Sequence, residues 1–452
     1  MALTAMVMKR RHFFKYTALS TSGFVLAACR GFNSQNSPQQ EVSNFGKLEK
    51  TYLTLGYVPT LDATPVIIAQ EKGFFARYGL TVAFSKQLTP NDLEKGLSSG
   101  KLDGAVAPFP LPLLSQVNKN ATPIVSLMTL NLNGSAITLS QKSWTGGIHP
   151  ITDYYNFREF ANTYRRYIRS FNTPPSLAIA SNSSMDNYLS RYWLAAMGID
   201  PHQEIKLTEV APSQMLYKLQ SGNILGYAVA DPWNQKAVSA KAGFIADISR
   251  NIWRGHPSQI LAVSESWVNN NPVTARALVA ALLEACQYCD VPKNRPEIAQ
   301  ILAQNKYLNT SLLAIEPALL GKYNYEQISE NRLKNIPDFN IFHFQETSYL
   351  KAPNHVNYPW RSHGVWLLTQ MVRWQQADLS EYPVDADKIL DKTYPLKIYE
   401  EVAKALKIKL PTEPMKKEPA TAFIDQREFD PSQPVAYLNR FELRAANPQI
   451  LI

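Results

Sequence analysis

The sequence predicts an α/β protein of two similar lobes facing one cleft, and three observations predict it. Short β-rich runs alternate with capped helical runs, the alternation occurs twice in the same internal order, and each set passes a Ser-Gly pair just before its last strand. Those pairs lie in Leu97-Ser98-Ser99-Gly100 and Leu219-Gln220-Ser221-Gly222.

The first set opens with a strand over 51–58, closed by Pro59. A helix follows from about 66 to 75: Asp62 or Thr64 can cap its start, Pro65 suits its first turn and Gly73 ends it. A strand over 80–84, a helix over 90–99 and a strand over 102–107 that runs into Pro108 complete the set. The second set repeats this with a strand at 176–180, a helix at 186–197, a strand at 205–210, a helix at 213–221 and a strand at 225–230 entering Asp231-Pro232-Trp233. Such repetition argues for largely parallel sheets covered by helices, with a site where loops leave the strand ends. The expected division is one lobe from 49–140 and 235–452, including a C-terminal extension, and another from 141–234. The tail is helix-rich from about 270 to 288, then less regular, with a Pro/Lys-containing end expected to wrap the first lobe.

Residues 1–28 read as an export signal: a basic start, Lys9-Arg10-Arg11-His12-Phe13-Phe14-Lys15, then an uncharged run to Ala28 that is too short and too lightly apolar for a membrane span. The twin arginine resembles the signal of the twin-arginine export route. Leu26-Ala27-Ala28-Cys29 resembles a lipobox, which makes Cys29 the expected lipidated first residue of the mature chain. Residues 29–48 read as a tether, and the lipid would hold the protein on the outer face of the plasma membrane.

Removing the four Lys/Arg of the signal lowers the formal charge of the 452-residue chain from +9 to +5. No dense Lys/Arg block or arginine stripe remains, which argues against a nucleic-acid partner. Cys286 and Cys289 form C-x-x-C without a second Cys/His pair at zinc spacing, so they read as small residues on a buried helix. No phosphate loop, His-Glu-x-x-His, Gly-x-Ser-x-Gly or dinucleotide fingerprint occurs, and an enzyme is not expected.

Leu55-Gly56-Tyr57-Val58-Pro59, the run from Ala63 to Leu80 that includes Glu71-Lys72-Gly73-Phe74-Phe75, and the run from Arg191 to Pro201 together resemble the cyanobacterial nitrate- and bicarbonate-binding lipoproteins of ABC transporters. Asp231-Pro232-Trp233, His256-Pro257, the stretch from Pro292 to Glu297 and Tyr358-Pro359-Trp360-Arg361-Ser362-His363 extend the likeness over roughly two-thirds of the chain. The resemblance implies a two-lobed, type II periplasmic-binding-protein-like fold. It also implies a monomeric receptor that closes over a small oxyanion, nitrate or nitrite first, and hands it to a permease and its ATPase. A bicarbonate or other small-solute receptor, or a sensor that keeps the fold, is the alternative.

Carried over residue by residue, the family's pocket falls on several stretches. The loop ending at Phe109 has Ala107 where the family supplies a tryptophan, and Phe109 reads either as pocket wall or as core. Asn131 or Asn133 could donate amide hydrogens, with turn-capping the rival role of Asn133 before Gly134. In Ser183-Ser184-Met185-Asp186-Asn187, Asp186 stands where relatives carry His or Gln, and Met185 beside it is a further candidate contact. An ionised Asp186 would repel an anion; helix capping that turns it aside is the favoured reading. A cation bridge, a protonated carboxyl or a ligand with its own donor is the other. Arg254 or His256 is the next candidate contact, with a plain exposed charge the rival for Arg254. Bicarbonate-binding relatives hold calcium through an acidic residue just after His-Pro. Ser258 stands there in this chain, so neither calcium nor any other cofactor is expected.

Overall fold

The computed structural model describes residues 45–118, 120–328, 332–343 and 355–445. The export signal, Cys29 and the tether as far as residue 44 lie outside the described residues. Among the described residues no helix is long and apolar enough to cross a membrane.

Strands β1 (Tyr52–Tyr57), β2 (Thr81–Lys86), β3 (Gly104–Pro108) and β4 (Ile124–Asn133) form the first sheet with the returning strand β10 (Pro257–Ser264). The second sheet holds β5 (Ser135–Ser140), β6 (Ser176–Ile179), β7 (Lys206–Glu209), β8 (Gly226–Ala230) and β9 (Gly243–Ile248). A hairpin of β11 (Lys322–Asn324) and β12 (Leu333–Asn335) precedes β13 (Asn340–Ile341), which closes the edge of the first sheet. The orders are β13-β4-β10-β3-β1-β2 and β7-β6-β8-β5-β9. This is the two-lobed α/β architecture that the repeated pattern predicts.

Two expectations change. The sheets are mixed rather than largely parallel: β1, β2 and β3 run parallel, as do β6, β7 and β8, but β10 is antiparallel to β3 and β4, and β5 to β8 and β9. A strand that has just crossed from the other lobe enters its new sheet from the opposite end, which reverses its direction. Because β5 and β9 belong to the second sheet, that lobe spans 135–248 rather than 141–234.

The chain crosses between lobes twice. β4 passes to β5 through Asn133 and Gly134, both in left-handed conformation at φ 60° and 93°. A Cβ at Gly134 would also meet the Asn340 side chain at 3.1 Å, so glycine is required there. The return runs from β9 to β10 through the short helix Ser249–Ile252 and Gly255.

The first lobe's core lies under the helix Pro272–Asp290, which is buried along most of its length by Leu278, Leu282, Leu283, Cys286 and Cys289. Full burial of such side chains stabilises by roughly 1.5–3 kcal/mol each. Cys286 Sγ donates to Leu130 O at 3.7 Å, and both thiols are free.

The C-terminal extension contacts both lobes, not the first alone. Its helix Ala386–Thr393 packs on Pro110–Val117 of the first lobe, with Tyr394 stacked on Phe109 at 5.9 Å. On the second lobe, Tyr192 of the helix Met185–Ala196 donates to Asp425 at 2.8 Å and lies 5.9 Å from the ring of Trp366. Aromatic side chains on matching apolar faces give the extension its hold.

Candidate ligand cleft between the lobes

A cavity of about 30 Å³ lies where the parallel strands of both lobes end. It is lined from the first lobe by Val58, Thr60, Asp62, Pro90, Leu93, Val106, Pro108 and Gln259, and from the second by Ala180, Ser184, Asp186, Pro212, Val229 and Ala230. That space amounts to roughly two or three water-sized positions, enough for a solute of a few heavy atoms. A larger groove of about 780 Å³, lined among others by Tyr188, Arg191, His202 and Trp374, opens at the outer edge of the same seam.

Hydrogen bonds between the lobes close the cavity. Leu61 N donates to Asp231 O at 2.7 Å, and Trp233 Nε1 to Pro59 O at 3.2 Å. Ser181 Oγ donates to Asn91 Oδ1 at 2.7 Å, and Asn91 Nδ2 to Glu209 Oε2 at 3.3 Å.

Asp62 sits in a single 3₁₀ turn, Leu61–Ala63, between β1 and the helix Thr64–Glu71. That helix has no side-chain cap, and Thr64 Oγ1 donates back to Leu61 O, so neither Asp62 nor Thr64 caps it. The Asp62 carboxyl is buried instead. Its Oδ1 accepts Asn131 Nδ2 at 2.6 Å, while its Oδ2 makes no hydrogen bond. Burial pushes the carboxyl up to about 8; Asp186 and Asp231 push the same way, against the amides of Asn131 and Gln259.

Asp186 is partly buried in the first turn of the helix Met185–Ala196. The cap of this helix is Ser184, whose Oγ accepts Asn187 N at 3.2 Å. This overturns the expectation that capping turns Asp186 aside, because Asp186 lines the cavity. Burial raises its carboxyl to about 6, with the Ser135 hydroxyl opposing. Asp231, at the cis peptide before Pro232, is spent on Gln235 N at 3.1 Å and Tyr323 Oη at 2.7 Å.

The other expected site residues lie elsewhere. Asn131 stands behind Asp62: it donates to Asp62 and to Asn340 Oδ1 at 3.1 Å, and accepts Gln259 N at 3.2 Å. Phe109 and Met185 are core. Asn133 and His256 are buried at the lobe crossings, and Arg254 N donates to Ala422 O of the extension at 2.7 Å. His256 Nδ1 faces Pro257 O at 3.1 Å, and burial lowers its pKa to about 4.

Sequence reasoning missed Asp62, Thr60 and Gln259 as cleft residues. The first two carry a readable signal, since they follow the end of a parallel strand. Gln259 does not, because it lines the cleft from near the start of the antiparallel β10.

Among the described residues no group of three or more His, Cys, Asp or Glu is placed to hold a metal ion. Among the described residues no Lys, Arg or His lines the cavity.

Residues 46–303 match the model of the NMT1-like family. The nitrate/nitrite binding protein NrtA of Synechocystis sp. (strain ATCC 27184 / PCC 6803 / Kazusa) is 30% identical over 463 residues, covering 97% of this chain and 98% of the relative. The nitrate import ATP-binding protein NrtC of the same organism is 36% identical over 403 residues, covering 88% of this chain but 56% of the relative, so the chain spans about half the length of that protein. The crystal structure of the periplasmic nitrate-binding protein NrtA from Synechocystis PCC 6803 superposes with a TM-score of 0.78 at 28% identity, covering 88% of this chain and 100% of that one. With its family match, its end-to-end likeness to NrtA and its two lobes closed over a small cavity, the chain belongs to the NMT1-like family, beside the nitrate/nitrite-binding proteins.

Proposed function

We propose that this protein is the solute-binding component of an ABC importer, that it closes over nitrate or nitrite, and that it releases the anion to a membrane permease driven by an ATPase. The observation that carries the reading is the cavity of about 30 Å³ under four interlobe hydrogen bonds. A three- or four-atom oxyanion is of that scale, whereas amino acids and sugars are not. The work in this reading is binding, and closure must stay weak enough for docking on the permease to reverse it. A lipid on Cys29 would keep the receptor beside that permease on the periplasmic side.

Calorimetric titration of the purified full-length chain with nitrate, nitrite and bicarbonate, the last with and without calcium, tests the cargo. Micromolar binding of nitrate or nitrite is the expected result. Binding of bicarbonate alone, or dependence on calcium, would replace the cargo and leave the receptor reading standing. Silence from all three by a folded chain would overturn it.

A further inference from the structure

The cleft presents an electrostatic mismatch with an anion. Its only ionisable lining groups are the carboxyls of Asp62 and Asp186, and no Lys, Arg or His among the described residues lines it. Two unit charges about 4 Å apart interact by about 4 kcal/mol even at an effective dielectric constant near 20, so an anion beside two ionised carboxylates would be expelled. The polar lining otherwise consists of Thr60, Ser184 and Gln259, and the Ser184 hydroxyl is already engaged with Ser181 O at 2.7 Å. One arrangement relieves the Asp62 half of the mismatch and leaves the Asp186 carboxyl, raised by burial, as the remaining charge. Asp62 is 1% exposed and lines the cavity, Asn131 fixes its Oδ1, and its buried Oδ2 makes no hydrogen bond, with the Gln259 amide the nearby group that opposes protonation.

Resting on the nitrate/nitrite reading above, we propose that the receptor takes up its oxyanion together with a proton, which the Asp62 carboxyl holds and donates from Oδ2 to an anion oxygen. Asn131 is then a positioning residue, because its amide reserves Oδ1 as an acceptor and leaves the proton on the ligand side. Charge balances: the anion and one proton enter a site that contained one ionised Asp62, and the net charge of the cleft is unchanged. Every charged group facing Asp62 works in this direction. Asp186, from the start of the helix Met185–Ala196, and Asp231, from the end of β8, are both acids and both favour a protonated neighbour. Val58, Leu93, Val106, Pro108 and Val229 make much of the wall apolar, which leaves few groups able to solvate two carboxylates.

The test is calorimetry on the full-length chain with sodium nitrate and sodium nitrite between pH 5.5 and 9, in buffers of different ionisation enthalpy. Expected at pH 8.5 is an uptake near one proton per anion, with affinity weakening towards tenfold per pH unit above about pH 8. Asp62→Asn places a permanent donor at the same position, so it should bind at pH 8.5 nearly as tightly as at pH 6 and without proton uptake. Circular dichroism confirms its fold, and Asp186→Asn, which keeps Asp62, should retain the uptake. Binding that is independent of pH with no proton taken up would overturn the proton and leave the cargo standing. No binding of either anion at any pH would overturn both, and binding of ammonium or methylammonium under the same conditions would show that the carboxyls serve a cation.

Discussion

Asn133 Oδ1 accepts the Gly255 amide at 2.8 Å, and with this contact the two crossings between the lobes are tied to each other. Asn133 N also donates to His256 O at 3.0 Å, and Asn133 Nδ2 to Asp338 O at 2.9 Å. One buried residue in left-handed conformation therefore serves three backbone groups, two through its side-chain amide and one through its own N–H.

Asn133→Ala should be destabilising for two separable reasons. Buried backbone groups lose their partners, at roughly 1–3 kcal/mol, and alanine gives up asparagine's greater tolerance of the left-handed region at φ 60°, a smaller loss because both residues carry a β-carbon. Asn133→Gly keeps the conformation and loses only the bonds, so urea denaturation should place it between the native chain and the alanine variant. Equal losses in both variants would mean that the backbone conformation carries no cost.

The buried acids and histidines set the dependence of stability on pH. Asp62, Asp231 and Asp247 are pushed up by burial to about 8, 7 and 6, so each contributes stability that is full below its unfolded pKa and is lost as pH rises through the folded value. His256 and His363 are lowered by burial to about 4, so their contribution is full above about 6.5 and is lost as pH falls towards 4. Between pH 6.5 and 8 the histidine contribution is flat and the acids dominate. Stability of the ligand-free chain should therefore fall across that interval, by up to about 1.4 kcal/mol per pH unit for each proton involved. Urea midpoints at the two pH values measure it, and Asp62→Asn should make the slope shallower.

The fold was legible because its signals are local. Pro65, Gly73, the two Ser-Gly pairs and the alternation of apolar runs each act within a few residues, and most elements of the two sets lie within a residue or two of where they were expected, whereas the first helix ends at Glu71 rather than 75 and the tail after 288 is more helical than expected. The directions of β5 and β10 were not legible, since nothing within those runs records which end of a sheet they enter. The site was legible only in part for the same reason. Asp186 was found by its departure from the family's pattern, but the choice between cap and cleft turned on Ser184, an equally good cap two residues earlier. Asn133 and His256 carry the right chemistry for an anion, and only the three-dimensional path of the two crossings shows that they serve the backbone.

Closure can be weakened without touching the cavity. Trp233 Nε1 reaches Pro59 O across the seam, while Lys236 Nζ lies 4.1 Å over the Trp233 ring. Trp233→Phe keeps an aromatic ring and deletes the donor. With one interlobe hydrogen bond worth roughly 0.5–1.5 kcal/mol, nitrate at pH 6 should bind about two- to tenfold more weakly, with the urea midpoint little changed. An unchanged Kd would mean that this contact does not form part of the closed state in solution.

The extension offers the last test, because it is tied to the return crossing itself. Trp366 lies 4.4 Å from Trp253 between ring centroids, Phe423 lies 5.3 Å from the same ring, and all three are buried. Trp253 directly precedes Arg254, whose amide is held by Ala422 of the extension, so the crossing is gripped through both side chain and backbone. Trp366→Ala should cost about 3–5 kcal/mol, the range for deleting a buried aromatic side chain. If the extension belongs to one cooperative unit with both lobes, tryptophan fluorescence and circular dichroism should report a single coincident urea transition in the native chain and in the variant. Two separated transitions would instead show that the extension docks on lobes that are already folded, and that its aromatic grip adds little to the hinge.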